Sequence, residues 1–473
     1  MKKNNTLKVL LITILFTYVL TWLLPITYYN SGLYTDVRYP AGLFDIFNYP
    51  TLTFYYFGQL AVYVLVIGAF YGVFNRTGIF RKVVDKLANL FKGKRIVFFG
   101  TVITLLSLMV AFCGFSYELF FVLPLLTAII LTMGYDKMTV ALTLIGSISV
   151  GFVGSLFAKS ITGQYMGTLA TTYADMIWYR VAILVIGILL LTFNVIRHTK
   201  KLDSIEKEDV KEYIPLKVEL KSKKGKVRAS WPAIVVFDLI LILMIMGTLD
   251  FSGAFKLDIF TTMHENIMTF AIKDYTIFSK VLGSTLQNAS LGSWTSVEFT
   301  TVIILATLLL SLIYRIKLSD MFEEVKEGAK KFALPTLLML LAYTVLITTS
   351  NHPIVLTILK PLLEITKGFN SITLSVSMFI ASIFNVDAFY TASAMMPYVS
   401  SLIEDVTVYP LVGFIAQVMQ GLALLVAPTS IVLLGVISYL KIPYTKWFKK
   451  VFAFFGEMFL IAFILFSIIL LII

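Results

Sequence analysis

One stretch, Cys113 to Ser160, restricts what this 473-residue chain can fold into more than any other. It reads CGFSYELFFVLPLLTAIILTMGYDKMTVALTLIGSISVGFVGSLFAKS. A carboxylate, Glu118, is embedded in an apolar run, where a charge costs about 2.5–3.5 kcal/mol on insertion scales. Further on, a second apolar run carries Gly146, Ser147, Ser149, Gly151, Gly154 and Ser155 within ten positions. Gly and Ser hold a helix poorly, so this run is expected to lose its winding after Gly146. Unwound backbone in lipid survives only where protein buries it or a watery cavity solvates it. The stretch therefore reads as half of a binding site near the bilayer midplane.

The rest of the chain supports a membrane setting. Hydrophobic residues make up 58% of it, and several runs exceed the ~18 apolar residues that mark a spanning helix. With no long polar block, the sequence reads as one all-α polytopic membrane protein. The net charge of +12 points at first to nucleic acid, but the Lys and Arg residues gather in short segments between spans. That is the positive-inside pattern, so the charge reports topology and no nucleic-acid partner is expected. The basic segments 75–95, 197–228 (eleven Lys/Arg against six Asp/Glu) and 441–450 are assigned to the cytoplasm. The N-terminus has Lys2 and Lys3 before about twenty apolar residues, and reads as an uncleaved first helix with a cytoplasmic start in the cell membrane. A single cysteine, Cys113, excludes an intramolecular disulfide and a thiolate metal cluster.

An internal repeat organises the chain. GFSYELFFVLP closes at Pro124 around Glu118, and FNVDAFYTASAMMP closes at Pro397 around Asp387, 273 residues later. The same offset carries Ser155 onto Pro428, followed by Thr429 and Ser430. It also carries the amphipathic 81–95 segment onto 354–368, and the charge pattern puts these two on opposite faces. The expectation is two inverted-topology repeats with re-entrant hairpins and broken transmembrane helices, the signature of secondary transporters. The division is 1–196 for the N-terminal repeat, 197–230 for a basic cytoplasmic linker, 231–293 for an extra span and extracytoplasmic segment, and 294–473 for the C-terminal repeat.

With these motifs in view, the chain resembles the DcuC/YfcC-type permeases of the ion-transporter superfamily. The resemblance rests on PAGLFDIF (Pro40 to Phe47), VIGAFYGVFNRTGIF (Val66 to Phe80), Gly114, Glu118, Pro124 and GYD (Gly134 to Asp136). It continues through VGFVGS (Val150 to Ser155), FEEVKEGAKK (Phe322 to Lys331), APTS (Ala427 to Ser430) and KIPYTKWFKK. It implies a carrier of four-carbon dicarboxylates or of basic amino acids, and it implies homodimers. Three places depart from the family pattern. Ala158 and Lys159 stand where an Asn-Pro pair is usual, Tyr117 precedes Glu118 where a second acid is usual, and Asp387 to Tyr390 replace a Ser-Gly-Ser-Gly run.

The candidate substrate- or ion-binding residues are Glu118, Gly146, Ser147, Ser149, Gly151, Gly154 and Ser155 in the first half. In the second half they are Asn385, Asp387, Pro428, Thr429 and Ser430. Half-helix ends offer partial charges and unwound segments offer free backbone groups. Glu118 suits an ammonium group, Na⁺ or a proton. Asp387 reads equally as a helix N-cap, and the glycines read alternatively as close helix packing. Thr429 and Ser430 can bond back to their own helix. Lys159 is a partner for a carboxylate, a stand-in for the coupling cation that the resemblance implies, or a snorkelling interfacial residue. Gln417 and Gln420 either line the path or bond across helices.

Enzymatic and metal chemistry find little footing. His264-Glu265 opens like a zincin motif, but Met268 occupies the second ligand position. No phosphate-binding G-x-x-x-x-G-K-[ST] occurs, so no metal site or cofactor is expected beyond coupling to Na⁺ or H⁺. The sequence reads as a non-enzymatic secondary transporter of a small carboxylate-bearing metabolite, with amino acids favoured. It would work by ion coupling (symport) or exchange (antiport), with the bilayer as its surroundings. The alternatives are an organic-anion or dicarboxylate carrier, and a membrane scaffold or sensor that kept the fold.

Overall fold

The computed structural model describes residues 5–30, 33–202, 211–215, 229–282, 289–366, 369–385 and 387–472. Lys2, Lys3 and most of the 197–230 linker lie outside the described residues. Helices dominate, as they must where lipid offers no partner for backbone polar groups. Helix α1 (Asn5–Leu23) is followed by a short antiparallel hairpin of β1 (Ile26–Asn30) and β2 (Leu33–Val37). The long α2 (Asp45–Arg76) then leads through Gly78, in the left-handed region at φ 72°, to the amphipathic α3 (Ile79–Leu90). Next come α4 (Arg95–Cys113), a 3-10 turn over Tyr117–Phe121, and α5 (Leu123–Thr132). Helix α6 (Lys137–Val153) is interrupted before α7 (Thr162–Leu169), and α8 (Ile177–Leu202) completes the first half.

Between the halves stand α9 (Trp231–Thr248) and an exposed group of α10 (Phe251–Phe255), α11 (Ile259–Thr269) and α12 (Ile277–Leu282). The two-residue strands β3 (Ala271–Ile272) and β4 (Tyr275–Thr276) join α11 to α12, and α13 (Ser296–Ile313) follows. Residues Thr295 and Glu298 start α13 with a reciprocal capping box, which satisfies two donors that its first turn would leave unpaired.

The second half lists the same kinds of element in the same order. A long α14 (Leu318–Asn351) is followed by an amphipathic α15 (Ile354–Glu364) and a hairpin of α16 (Ser371–Phe384) and α17 (Ala388–Leu402). An interrupted helix comes next, α18 (Tyr409–Val426) and α19 (Ile431–Tyr439), and α20 (Tyr444–Leu470) closes the chain. Among the described residues nine helices are long and apolar enough to cross a membrane, with α18 and α19 counted as one interrupted span. The shorter α5, α6 and α16 are apolar as well.

The two long helices α2 and α14 run antiparallel and pin the halves together. At one end Arg76 approaches Asp320 at 3.5 Å and Glu324 at 3.8 Å. At the other, the Tyr49 hydroxyl lies 2.6 Å from His352 Nε2. Between them the backbones touch. A Cβ added at Gly72 would stand 2.0 Å from the Glu324 carbonyl oxygen, and one at Gly328 would stand 2.1 Å from that of Gly68. Lipid gives apolar side chains no reason to associate, so such close backbone packing is what holds transmembrane helices to each other.

The crossing predicts its own test. Gly72→Ala and Gly328→Ala force backbone apart and are expected to destabilise the protein by about 1–3 kcal/mol each, read as a lower melting temperature in detergent. Gly58→Ala and Gly456→Ala, where a Cβ would meet nothing within 4 Å, are expected not to lower it.

Candidate functional site

Four interruptions of helical structure meet around one cavity of about 250 Å³. The apex of the first hairpin contributes Gly114, Ser116, Tyr117 and Glu118, and the α6–α7 break contributes Phe152, Ser160 and Gln164. From the second half come Phe384, Asp387 and Phe389 at the apex of α16–α17, with Leu424, Thr429 and Val432 at the α18–α19 break. Tyr343 and Leu346 of α14 form a further wall. A second cavity of about 410 Å³ shares Gly114, Tyr117, Glu118, Ser160 and Gln164 and extends past Lys159 to Thr248 and Trp294. Glu118 thus stands where an inner chamber meets a wider vestibule.

Each acid is held by its own hairpin. Ser116 N–H donates to Glu118 Oε2 at 2.7 Å, and Tyr390 N–H donates to Asp387 Oδ1 at 3.2 Å, which makes Asp387 the N-cap of α17. Both carboxylates nevertheless line the cavity, so the capping role and the site role coexist. The scaffold helices fix the apices from behind. Tyr63 OH donates to the Glu118 carbonyl at 2.8 Å, Tyr71 OH to that of Phe121 at 2.7 Å, and Thr349 Oγ1 to Asn385 Oδ1 at 3.0 Å. Gly114 is required twice. Its φ of 74° is left-handed, and an added Cβ would lie 2.0 Å from Ser160 Oγ across the cavity wall.

The first break differs from the one expected. Helix α6 does not lose its winding after Gly146 but stays helical to Val153, and the interruption runs from Gly154 to Ile161. The small residues before it serve packing. Added Cβ atoms at Gly146, Gly151 and Gly154 would come within 2.6 Å of Leu191 Cδ1, 2.4 Å of the Ser107 carbonyl oxygen and 2.4 Å of Leu184 Cβ. Ser147 bonds back to the Thr143 carbonyl at 2.6 Å, and Ser149 bonds across to that of Gly421 at 2.6 Å. Gly146, Ser147, Ser149, Gly151 and Gly154 therefore lie outside the cavity wall. Close packing keeps α6 wound despite its weak propensity.

The second break falls where the proline predicts it. Pro428 and Thr429 form a turn between α18 and α19. Ser430 Oγ accepts from Leu433 N–H at 3.3 Å as the N-cap of α19, and Thr429 Oγ1 donates to the Ile383 carbonyl at the neighbouring apex.

The remaining candidates sit just behind the wall. Asn385 is buried at its apex, with its carbonyl accepting from Thr391 Oγ1 at 2.7 Å. Ser155 accepts from Thr162 Oγ1 at 2.9 Å. Gln417 and Gln420 are fully buried. Gln417 reaches the α6 break, and Gln420 Oε1 accepts from Tyr165 OH. Lys159 is exposed in the vestibule and absent from the inner wall.

Sequence reasoning did not select Tyr117, Ser160, Gln164 or Tyr343, all of which line the cavity. Ser160 and Gln164 follow the departures at Ala158 and Lys159, which was the available signal. Tyr343 lies in an unbroken helix more than 150 residues away, and nothing local marks it.

Among the described residues no group of three or more His, Cys, Asp or Glu could hold a metal ion. The inner wall carries two carboxylates and no Lys, Arg or His. A cavity walled by hairpin apices and helix ends can hold a polar solute in place of its hydration shell.

Comparison with known proteins gives the family. No curated protein matches the chain. The solved structure of the YdaH transporter of Alcanivorax borkumensis, described as having an unusual topology, covers 98% of this chain and 97% of its own. Identity is 13% and the TM-score 0.41. Residues 43–472 match the family described as DcuC, C4-dicarboxylate anaerobic carrier. This multi-pass chain belongs to the DcuC family and is a carrier, not an enzyme.

Proposed function

We propose that this carrier moves small metabolites bearing a carboxylate together with a cationic group, that is, amino acids, with basic ones fitting best. One observation carries the reading: Glu118 and Asp387 share the wall of one cavity that has no basic residue on its lining. At an effective dielectric constant of 20 and ~5 Å, each carboxylate pair formed with a dianion is unfavourable by about 3 kcal/mol. An ammonium group reverses that sign. The antiparallel pairing of α2 with α14, and the matched order of elements, support inverted repeats that rock about the cavity in alternating access. Exchange and ion coupling both fit this architecture.

A second reading has its own support. The family takes its description from four-carbon dicarboxylates, and Lys159 stands in the vestibule beside Glu118. In that reading the two acids take up protons or cations while the dicarboxylate meets Lys159 and backbone donors.

Two experiments separate these. In a thermal-shift assay of purified protein, lysine at a hundredfold excess over its Kd is expected to stabilise by about 2.7 kcal/mol, and succinate to do nothing. Uptake into proteoliposomes should follow the same order. Succinate protection without lysine protection overturns the amino-acid reading in favour of the dicarboxylate one, and protection by neither favours a scaffold that kept the fold. In the same assay Glu118→Gln and Asp387→Asn are expected to remove the lysine-dependent shift. Asparagine caps about as well as aspartate, so Asp387→Asn should melt near the parent, whereas Asp387→Ala should lose about 1 kcal/mol.

A further inference from the structure

The carboxyl end of α6 is built differently from that of α18, although both stop inside the bundle. Trp447 Nε1 donates to the Leu425 carbonyl at 2.8 Å and Tyr444 OH donates to that of Val426, one donor to each acceptor. At α6 a single amide serves three carbonyls. Gln417 Nε2, on α18, lies 3.3 Å from Phe152 O, 3.1 Å from Val153 O and 3.2 Å from Ser155 O. Its own Oε1 accepts from Thr162 Oγ1 at 3.0 Å, and that hydroxyl also lies 2.9 Å from Ser155 Oγ and 3.1 Å from Ser155 O. The carbonyls, which only accept, fix the amide with its Nε2 toward them.

The result is a cage of backbone and hydroxyl oxygens, fully buried, at the negative end of a helix dipole. The amide bonds are on the long side of the normal range. Ser155 N–H also donates to the Phe152 carbonyl at 3.1 Å and the Thr162 hydroxyl lies near that of Ser155, which leaves the Val153 carbonyl to the amide alone. An oxygen cage of this kind suits a small cation better than a planar donor, because unwound carbonyls and helix carboxyl ends are what coordinate cations inside membranes. We propose that the Gln417 amide occupies a monovalent-cation position, so that a tethered side chain ties the two broken helices together where a bound ion would otherwise do so. The amide never leaves, so this link between α6 and α18 is independent of the salt around the protein.

Gln417 is thus a positioning residue. It holds the break whose Phe152 and Ser160 form cavity wall, reaching the Phe152 carbonyl from behind, and is not itself part of the lining. The inference uses the carrier reading only for its transport arm, and the thermal arm tests the cage whatever solute is carried, so the two can fail separately.

The test compares melting in NaCl with melting in choline chloride at equal ionic strength. Gln417→Ala empties the cage and leaves room for an ion, whereas Gln417→Met fills it without supplying a donor. The expected result is that Na⁺ raises the melting temperature of Gln417→Ala by about 3 °C or more beyond any rise in the parent, and that Gln417→Met gains nothing. Uptake by Gln417→Ala should recover with Na⁺ over the same concentrations. A Na⁺ response of Gln417→Ala no larger than the parent's, or an equal response in Gln417→Met, overturns the proposal and leaves Gln417 a plain helix cap. Should Gln417→Ala not fold, Gln417→Glu, melted at an alkaline pH where its carboxyl is ionised, places a charge among the carbonyls that a bound cation balances. A melting temperature of Gln417→Glu indifferent to Na⁺ then overturns the proposal equally.

Discussion

A helix that stops inside a bilayer leaves up to four carbonyls or four N–H groups without partners, and lipid supplies none. An unmet group costs about 1–3 kcal/mol on removal from water, so every interruption here needs partners from neighbouring elements. They are present. Trp447 and Tyr444 take the end of α18, Gln417 takes the end of α6, and Ser430 caps the start of α19. The first break also borrows a partner from the hairpin beside it, where Leu156 and Phe157 N–H both donate to the Ala111 carbonyl at 2.8 and 3.2 Å. The cavity exists because these partners approach from behind, leaving the remaining polar groups of the four interruptions facing inward.

That arrangement dictates how the halves interlock. Gln417 belongs to the second half and the carbonyls it serves belong to the first, and an added Cβ at Gly421, one turn on, would stand 2.8 Å from Val153 N. The broken helices are therefore fastened to each other, while α2 and α14 are fastened at Gly68, Gly72 and Gly328. The contacts between these two groups are of another kind. They combine side-chain packing, as of Leu338 and Ala342 on Leu434 and of Phe70 on Phe121, with single hydrogen bonds from Tyr63, Tyr71 and Thr349 to the hairpin apices. Each of these bonds is worth about 0.5–1.5 kcal/mol, far less than a close-packed backbone crossing.

Much of this was legible in the sequence, and what was legible has a common property. Pro428 breaks a helix through its own missing donor and its own ring, so its neighbours need not be known. Asp387 caps the residue three positions on, again a local act. Glu118 announced itself by its cost in an apolar run. The 273-residue offset concerns order alone, and the two halves do carry the same kinds of element in the same order. The Gly/Ser run was misjudged for the converse reason. Gly146, Gly151 and Gly154 are small because Leu191, Ser107 and Leu184 lie against them, and propensity cannot see a neighbour forty residues off. Tyr343 and the amide of Gln417 were equally out of reach, since their partners become neighbours only in the folded bundle.

The two acids combine a local and a distant role, and the combination has a consequence. Glu118 and Asp387 each hold the turn of their own hairpin through a backbone N–H, and each also faces the cavity. On the proposed reading, a cationic group in the cavity pulls on the same carboxylates that hold those N–H groups. Occupancy and apex conformation are therefore linked: whatever weakens the cap strengthens the hold on solute, and by the same free energy solute weakens the cap. A change of this size at the carboxylates is comparable with the single hydrogen bonds from α2 and α14 that help to anchor the apices. On the proposed reading, the groups that recognise the solute and the groups that hold the hairpin turns are the same two side chains.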